Sequence, residues 1–327
     1  MGLCSRGGWG SAVSQPIAGP CCDIPLGTSR RIGTVAGMAI PIAFDMETAD
    51  PDDVFTLCAL ATHPWARLVA VTVMPGSDEQ IGIVKHLLGR LGVTVPVGAY
   101  RPGADVRPVS GFHRRWLGRV PPREPDAEAW QLLRDAFVSE GATLLTGAPL
   151  KNPGMLLERE PDVRITRWVA QGGFAGDSVV PPEHRLPKFE GRETCGTYNF
   201  NGAPEAALKL LESPYVGERV LVSKNVCHGV VYDGAMHAAL SARRLTPGMA
   251  LVREGMGVYL AKRHAGKAFH DPLAAAVALD ESVCTFREVE VYRERGAWGT
   301  RLAADTRTRI SVSVDHARFL DVLAATE

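Results

Sequence analysis

The chain has 327 residues, of which 46% are hydrophobic, so it can bury a substantial core and is not disordered throughout. Lys and Arg together number 36, as do Asp and Glu, and this balance excludes the strong positive charge that draws proteins to nucleic acids or anionic membranes. The seven cysteines form no Cys-x-x-Cys pair, which favours reduced thiols and a cytoplasmic location over a disulfide or zinc framework. The charge balance therefore favours a small or neutral partner. No segment approaches the roughly 18 uninterrupted apolar residues that a membrane-spanning helix needs, so a soluble protein is expected.

The beginning of the chain differs from the rest. Residues 1–37 are rich in Gly, Ser and Pro, and they lack both hydrophobic periodicity and the apolar block of a signal peptide. We therefore predict a disordered tail for residues 1–37 and a single domain for residues 38–327. Because the regular pattern begins at Met38, that residue is a candidate for the natural start of the protein.

From Met38 onward, short β-branched segments alternate with longer segments of helical periodicity. Strands, mostly apolar on both faces, are predicted at 40–44, 67–74, 94–99, 142–147, 165–173 and 219–223. Helices are predicted between them at 51–62, 78–91, 126–139 and 203–212. The last third adds helices near 233–243, 249–261 and 270–279, strands at 283–292 and 309–314, and a closing helix at 315–325. This alternation predicts an α/β fold with a mainly parallel central sheet flanked by helices, in which ligands bind beyond the carboxyl ends of the strands.

Two irregular segments remain. Residues 174–195 contain too many Pro, Gly and charged residues for a regular element, which indicates either a functional loop or a solvated insertion. The basic and aromatic segment FHRRW at 112–116 could suggest nucleic acid, but its isolation in a neutral chain favours a surface turn.

Five carboxylates follow the first predicted strand within nine positions: Asp45, Glu47, Asp50, Asp52 and Asp53. Asp50 and Pro51 are typical of a helix N-cap and first helical residue, so capping accounts for Asp50 and can account for Asp52. It does not account for Asp45 and Glu47, which emerge on one side if the strand continues. Two carboxylates about 4 Å apart repel by roughly 4 kcal/mol at an effective dielectric near 20, so the cluster needs a cation. Oxygen ligands without His or Cys favour Ca²⁺ or Mg²⁺, and crowding of carboxylates favours Ca²⁺.

A second acidic signal lies far along the chain, in the predicted helix near 270–279, where Asp271 and Pro272 are typical of a helix start and His270 precedes them. A His beside a helix N-terminus is more often a packing or capping residue than a catalyst. If Asp271 completes the carboxylate cluster, however, His270 lies at its rim and is suited to donate a proton.

Taken together, these segments resemble the inosine-uridine nucleoside hydrolase family, calcium-dependent enzymes that cleave the N-glycosidic bond of ribonucleosides. The strongest element is DMETADPDD at 45–53, which is similar to the family's D-x-D-P-G-x-D-D signature. Six more segments follow in the family's order: AVTVMPGSDEQ (70–80), LLTGAPLKNPGML (144–156), VAQGG (169–173), YNFNGAPEAA (198–207), FHDPLAAAVALD (269–280) and RISVSVDHARFLDVL (309–323). The resemblance covers roughly residues 38–327. It implies a nucleoside-hydrolase-like (Rossmann-like) single domain that forms homodimers or homotetramers.

The resemblance also implies roles for individual residues. It implies a Ca²⁺ ion held by Glu47, Asp53, Asp271 and the main-chain carbonyl of Lys151. Glu47 would also act as general base for the attacking water, and His270 as the acid that helps the base leave. The implied substrate-binding residues are Asp45, Asp52, Ser77, Asn152, Thr197, Asn199 and His228. For His228, the residues alone favour a structural role.

Three positions depart from the family's pattern. Glu47 stands where Asp is usual, with one extra residue before Asp52, and Ser77 stands where an Asn often contacts the sugar. Thr197 stands where a Glu usually binds the 5′ end of the ribose. Without that Glu, the 5′ side can accept a modified or charged substituent, which three cations of the 174–195 loop could meet: Arg185, Lys188 and Arg192.

The predicted function is therefore calcium-dependent hydrolysis of the N-glycosidic bond of a ribonucleoside or of a modified riboside, such as one substituted at the 5′ position. The alternative is a catalytically weak nucleoside- or ribose-binding protein that retains the fold. A third interpretation, a phosphatase built on a Mg²⁺ carboxylate cluster, lacks a convincing Lys or Thr partner motif.

Overall fold

The computed structural model describes residues 39–101 and 109–327. The tail predicted for residues 1–37 lies outside the described residues. The strands are β1 (Ile40–Met46), β2 (Ala66–Val73), β3 (Val97–Ala99), β4 (Ala127–Glu128), β5 (Thr143–Thr146), β6 (Ile165–Gln171), β7 (Thr194–Cys195), β8 (Val216–Val222), β9 (Val231–Tyr232), β10 (Lys267–Ala268), β11 (Cys284–Glu294), β12 (Ala297–Leu302) and β13 (Thr308–Val314). The helices are α1 (Pro51–Ala61), α2 (Asp78–Arg90), α3 (Gly111–Leu117), α4 (Ala129–Glu140), α5 (Lys151–Arg159), α6 (Tyr198–Gly202), α7 (Pro204–Glu212), α8 (Lys224–Cys227), α9 (Gly234–Ser241), α10 (Pro247–Leu260), α11 (His270–Leu279) and α12 (His316–Leu323).

An 11-stranded sheet lies at the centre, in the order β4-β3-β2-β1-β5-β6-β8-β13-β11-β12-β7. All neighbours from β4 to β13 are parallel, whereas β11, β12 and β7 add an antiparallel edge. The predicted fold class, a mainly parallel sheet flanked by helices, is confirmed. A separate antiparallel pair joins β9 to β10.

Helices cover both faces of this sheet, which explains why its strands are apolar on both sides. Along β1, Ile42, Phe44 and Met46 pack into one hydrophobic cluster together with α1, α2, α10 and α11. Ala43 points to the other face, where α4, α5 and α7 close a second cluster. Asp45 continues the alternation of Ala43, so the strand delivers a buried carboxylate at its carboxyl end.

The strand order also determines where the site lies. From β1 the chain adds β2, β3 and β4 on one side and then returns to place β5 on the other. In open α/β sheets, ligands bind beyond the carboxyl ends of the strands where the order reverses in this way, which here is between β1 and β5. Among the described residues, no helix is both long and apolar enough to cross a membrane.

The segment at 112–116 is not a surface turn, and that prediction is wrong. It lies inside α3, where Phe112 and His113 are buried and only Arg114 and Arg115 are exposed among the basic residues. The Phe112 ring meets the edge of Phe55 with 5.7 Å between centroids. The two-turn helix is too short for helical periodicity to be apparent in the sequence, so its basic face was the only visible signal.

Candidate active site

The first acidic loop connects β1 to α1, and Lys267 determines how its side chains are arranged. Asp50 is the N-cap residue of α1, as predicted, but its side chain makes no capping hydrogen bond. Its Oδ1 instead lies 2.9 Å from Lys267 Nζ, and Asp52 Oδ1 lies 3.1 Å from the same atom. Asp50 therefore stands at the predicted N-cap position, but its carboxylate pairs with the buried ammonium group instead of capping the helix.

Asp52 caps a helix, but not its own. Its Oδ2 accepts hydrogen bonds from the main-chain N–H groups of His270 at 3.1 Å and Asp271 at 3.4 Å, which are the first residues of α11. This contact fixes the N-terminus of α11 against the first turn of α1. As a result, two segments that are far apart in the sequence present their acidic residues to one point.

At that point, Asp52, Asp53 and Asp271 offer carboxylate oxygens within 4.8 Å of one another. All three residues are buried, and Asp271 Oδ1 has no hydrogen-bond partner within residues 39–101 and 109–327. Burial raises the pKa of Asp53 and that of Asp271 well above the ordinary value, and neighbouring carboxylates raise both further. A buried oxygen without a partner, in a group of acids that repel one another, fits a hard divalent cation.

Gly147 provides the space beside this cluster. It follows β5, and a Cβ atom at this position would lie 2.7 Å from Asp53 Oδ1 and 2.9 Å from Asp271 Oδ1. Its own N–H donates to the carbonyl of Asp45 at 2.9 Å, which ties β5 to the end of β1. The absence of a side chain therefore leaves a cradle between the carboxylates that any other residue would fill.

Glu47 lines the same pocket but lies outside this oxygen cluster. Its carboxylate turns back to accept hydrogen bonds from the N–H groups of Ala49 at 2.9 Å and Asp50 at 3.2 Å. Its own N–H donates to Asp53 Oδ1 at 3.2 Å, and burial raises its pKa to about 7. Its roles as metal ligand and general base stay predictions.

Asp45 and Asn152 form a buried polar pair that does not line the pocket. Asp45 Oδ1 accepts hydrogen bonds from Asn152 Nδ2 at 2.6 Å and from Thr72 Oγ1 at 2.7 Å. Burial raises the pKa of Asp45 to about 7. Asn152 Oδ1 has no partner, so the pair retains an unused acceptor next to the site, and the predicted substrate-binding roles stay predictions.

Beside the carboxylates opens a pocket of about 470 Å³, a volume typical of small-molecule sites. Asn199 is held there by hydrogen bonds from its Nδ2 to the Gly147 carbonyl at 2.9 Å and to Gln171 Oε1 at 2.7 Å. Among the described residues, neither Asn199 Oδ1 nor Thr197 Oγ1 has a hydrogen-bond partner, although both residues are buried. Buried polar atoms without a partner are typical of positions at which a ligand binds. A cavity of about 550 Å³ lies near α2 and α3, and the described residues that line it include no comparable acidic cluster.

Two histidines stand side by side in the pocket, with 4.6 Å between the ring centroids of His228 and His270. Lys188 Nζ lies 2.5 Å from His228 Nδ1, and because an ammonium group can only donate, Nδ1 accepts and Nε2 carries the proton. Burial lowers the pKa of His270 to about 4 and that of His228 to about 3. Both rings are therefore neutral at pH 7, where they serve as hydrogen-bond donors.

The imidazole ring of His270 contacts a thiol group. Its Nδ1 lies 3.2 Å from Cys227 Sγ, which also receives a hydrogen bond from Gln171 Nε2 at 3.3 Å. Burial raises the pKa of Cys227 to about 12, so the sulfur stays protonated. The predicted acid role of His270 stays a prediction, but the imidazole is fixed in the pocket.

Ser77 and Lys151, like Asp45 and Asn152, are predicted site residues that do not line the pocket. Ser77 Oγ accepts a hydrogen bond from the N–H of Gln80, and the two residues form a capping box at the start of α2. Lys151 is the first residue of α5, and its side chain is exposed. The role of Ser77 in sugar binding and that of the Lys151 carbonyl in metal binding stay predictions.

Sequence reasoning missed several residues of the pocket. Three of them lie at the ends of parallel strands, where any residue could have been suspected: Gly147 after β5, Gln171 at the end of β6 and Lys224 after β8. Lys267 had no local signal, because only the folded chain brings it to Asp50 and Asp52.

The chain is similar to known proteins in one family. A family model described as inosine-uridine preferring nucleoside hydrolase matches residues 42–321. No curated protein matches the chain. The solved structure of a plant nucleoside hydrolase is 19% identical, with a TM-score of 0.62 over 88% of this chain and 98% of that one. A purine-preferring ribonucleoside hydrolase from Gardnerella vaginalis is 18% identical, with a TM-score of 0.61 over 86% of this chain and 96% of that one. An inosine-uridine preferring nucleoside hydrolase from Bacillus anthracis is 20% identical, with a TM-score of 0.64 over 87% of this chain and 97% of that one.

Proposed function

This chain belongs to the inosine-uridine preferring nucleoside hydrolase family, and on that premise we propose that it is a calcium-dependent hydrolase whose pocket accepts ribosides substituted at the 5′ position. Hydrolysis of the N-glycosidic bond of nucleosides follows from membership of the family. We propose in addition that the ion is Ca²⁺ and that the riboside is substituted at the 5′ position. In the reaction, the bond from C1′ to the base nitrogen breaks, the oxygen of water bonds to C1′, and the base takes up a proton.

The observation that carries the proposal is the convergence of Asp53 and Asp271 on the space left by Gly147. Asp53 lies in the first turn of α1 and Asp271 in that of α11, and Asp271 Oδ1 is buried without a partner. The donor set contains only oxygen atoms, which favours Ca²⁺ over zinc or copper. When bound there, the ion would supply the positive charge that favours loss of a proton from water and binding of a sugar diol.

The protein's own groups account for the remaining tasks. Glu47 has a pKa of about 7 because of burial, which suits a group that accepts a proton near neutral pH. Asn199 is oriented by Gly147 and Gln171 so that its free Oδ1 can bind a sugar hydroxyl. His228 and His270 supply N–H donors for the leaving base. Orientation of the sugar beside these groups contributes much of the rate enhancement that such a site can give.

Thr197 supports the substituted substrate. Its side chain is shorter than the Glu that the resemblance leads one to expect, and its buried hydroxyl has no partner. A substituent on the 5′ oxygen would meet a hydroxyl donor there instead of a negative charge.

We further propose that the protein is a cytoplasmic homodimer or homotetramer, as the family resemblance implies. The four cysteines within the described residues are free, which suits a reducing compartment. Light scattering on the purified protein tests the assembly, since a single species at the mass of one chain would contradict it.

The decisive experiment measures Ca²⁺ binding and turnover together. A panel of purine, pyrimidine and 5′-modified ribosides is incubated with the protein in Ca²⁺ and in chelator, and the products are identified by mass spectrometry. We expect Asp53→Asn to lose both stoichiometric Ca²⁺ and turnover, because it removes one of the converging carboxylates. Asp135→Asn is the matched control, since Asp135 is exposed on α4 and pairs with Arg134.

Two results would count against the proposal. Turnover retained by Asp53→Asn would refute the metal assignment. Saturable binding of ribosides without any product would favour the alternative, a nucleoside- or ribose-binding protein that retains the fold.

A further inference from the structure

The pocket carries positive charge as well as negative. Lys224 lines it, and Lys188 reaches His228 on its wall. Within the part of the chain that the structure describes, neither ammonium group has a carboxylate at ion-pair distance. The contacts of Lys224 are the Gly196 carbonyl at 2.7 Å and the face of Phe189 at 5.9 Å, and Lys188 lies 5.1 Å from the same ring. Lys267, by contrast, is neutralised by Asp50 and Asp52.

A second feature adjoins Lys224. The carbonyl that accepts its hydrogen bond belongs to Gly196, and the next residue is Thr197, which is 4% exposed. Thr197 lines the pocket, and its Oγ1 has no hydrogen-bond partner in the part of the chain that the structure describes, although its main-chain N–H donates to Asn201 Oδ1 at 2.7 Å. A buried hydroxyl without a partner costs free energy, so it indicates that a ligand atom completes it. An unpaired ammonium group beside a free hydroxyl is a donor pair suited to an anion.

The distribution of charge determines which part of a substrate could carry that anion. Asp52, Asp53 and Asp271 form the acidic side of the pocket, where a cation and the neutral hydroxyl groups of a sugar are favoured and a second anion is repelled. An anionic group on the same substrate must therefore lie towards Lys224 and Thr197. The pocket volume of about 470 Å³ is sufficient for a riboside that bears such a group.

We infer that the substrate is a ribonucleoside 5′-monophosphate, whose phosphate binds to Lys224 and the Thr197 hydroxyl while Lys188 adds positive charge beside the base. The inference rests on the proposed function, since it assumes that the sugar hydroxyl groups bind at the acidic side. Water would add to C1′, the bond from C1′ to the base nitrogen would break, and the proton would pass to the base. The phosphate ester stays intact, so the products are the free base and ribose 5-phosphate.

The test compares inosine 5′-monophosphate with inosine, and uridine 5′-monophosphate with uridine, using mass spectrometry to follow ribose 5-phosphate and ribose. We expect kcat/KM to be at least tenfold higher for each monophosphate. Lys224→Met should reduce this preference about tenfold to hundredfold, because a hydrogen bond between an ammonium group and a phosphate is lost. Lys224→Arg should retain most of the preference, and Thr197→Val should reduce it by a smaller factor.

Lys209→Met is the matched control, because Lys209 is exposed on α7 and pairs with Glu158. It should leave the preference unchanged. Raising the ionic strength should also raise KM for the monophosphates more than for the nucleosides, since screening weakens only the charged contact.

The outcomes separate this inference from the proposed function. Turnover of nucleosides with no preference for monophosphates, unchanged in Lys224→Met, would overturn the inference and leave the proposed function intact. A Lys224-dependent preference for ribosides with a carboxylate on the base would overturn the 5′ assignment. Failure to hydrolyse any riboside would overturn the proposed function and this inference with it.

Discussion

Replacing Gly147 with alanine is expected to prevent ion binding without unfolding the protein. The added methyl carbon would lie 2.7 Å from Asp53 Oδ1 and 2.9 Å from Asp271 Oδ1. To restore an ordinary carbon–oxygen contact of about 3.3–3.6 Å, each oxygen must move by roughly 0.4–0.9 Å. Ca²⁺–oxygen distances span only about 2.3–2.6 Å, so this displacement exceeds the range that the ion tolerates.

The size of the effect follows from that displacement. Disturbing the groups that orient metal ligands typically lowers metal affinity about 10- to 100-fold, or about 1.4–2.7 kcal/mol, and moving two ligands directly should cost at least as much. The backbone itself accepts alanine, because Gly147 is not among the glycines with positive φ. In such positions Gly→Ala stabilises the fold by about 0.4–1 kcal/mol through the unfolded state. Loss of function by misfolding is therefore not expected.

The assay is Ca²⁺ titration calorimetry together with turnover of inosine and its 5′-monophosphate. Gly89→Ala is the control, since Gly89 lies on the exposed side of α2 and an added Cβ would meet nothing within 4 Å. We expect the control to bind Ca²⁺ and turn over substrate like the wild type. If Gly147→Ala also bound Ca²⁺ and turned over substrate like the wild type, the ion would not lie between Asp53 and Asp271.

Three further predictions concern Asp53, Lys267 and His270. Chelation should lower the melting temperature by roughly 4–5 °C, because an ion at 100 times its Kd stabilises the fold by about 2.7 kcal/mol, whereas Asp53→Asn should not respond to chelator in a thermal melt. Lys267→Met should destabilise the ion-free protein by about 3–5 kcal/mol in urea unfolding, since it leaves the buried Asp52 without its ion-pair partner. Ca²⁺ should reduce this loss of stability. The control Lys209→Met should cost no more than about 1 kcal/mol, because its ion pair is exposed. His270→Phe should lower kcat for inosine about tenfold, because the leaving base loses the N–H donor of a neutral imidazole, but it should hardly affect 4-nitrophenyl riboside, whose leaving group needs no such donor. An equal loss on both substrates would contradict a role of His270 at the leaving base.

Much of the fold could be predicted because its signals are local. The family predicted from the motifs is confirmed by the match over residues 42–321. Helix α11 has the predicted bounds, His270–Leu279, because Asp271-Pro272 is a strong start signal and the alanine-rich segment that follows favours a helix. Strand β12 was missed because its hairpin turn uses Arg295 and Gly296, both at positive φ, where Asn-Gly is the recognisable pair.

The site was less accessible from sequence, for a different reason. The order of motifs located Asp53 and Asp271, but the charges around them depend on contacts between distant segments. Lys267 follows β9 and α10 in the chain, and only the pairing of β10 with β9 brings it to the acidic loop. The turn of the Glu47 carboxylate towards the N–H groups of Ala49 and Asp50 is likewise a loop contact that no periodicity reveals.

Capping and ion binding, which the sequence presented as competing explanations for the acidic loop, are combined in the structure. Asp52 caps α11 instead of α1, and in doing so it fixes Asp271 relative to Asp53. Both helices then direct their N-termini, the positive ends of their dipoles, towards the carboxylates, which partly offsets the repulsion among them. The remaining repulsion is largest for Asp53 and Asp271, which are deeply buried. Burial raises the pKa of both carboxyl groups. A divalent cation held there would therefore stabilise the very contact that positions it, so ion binding and the docking of α11 on α1 should form and be lost together.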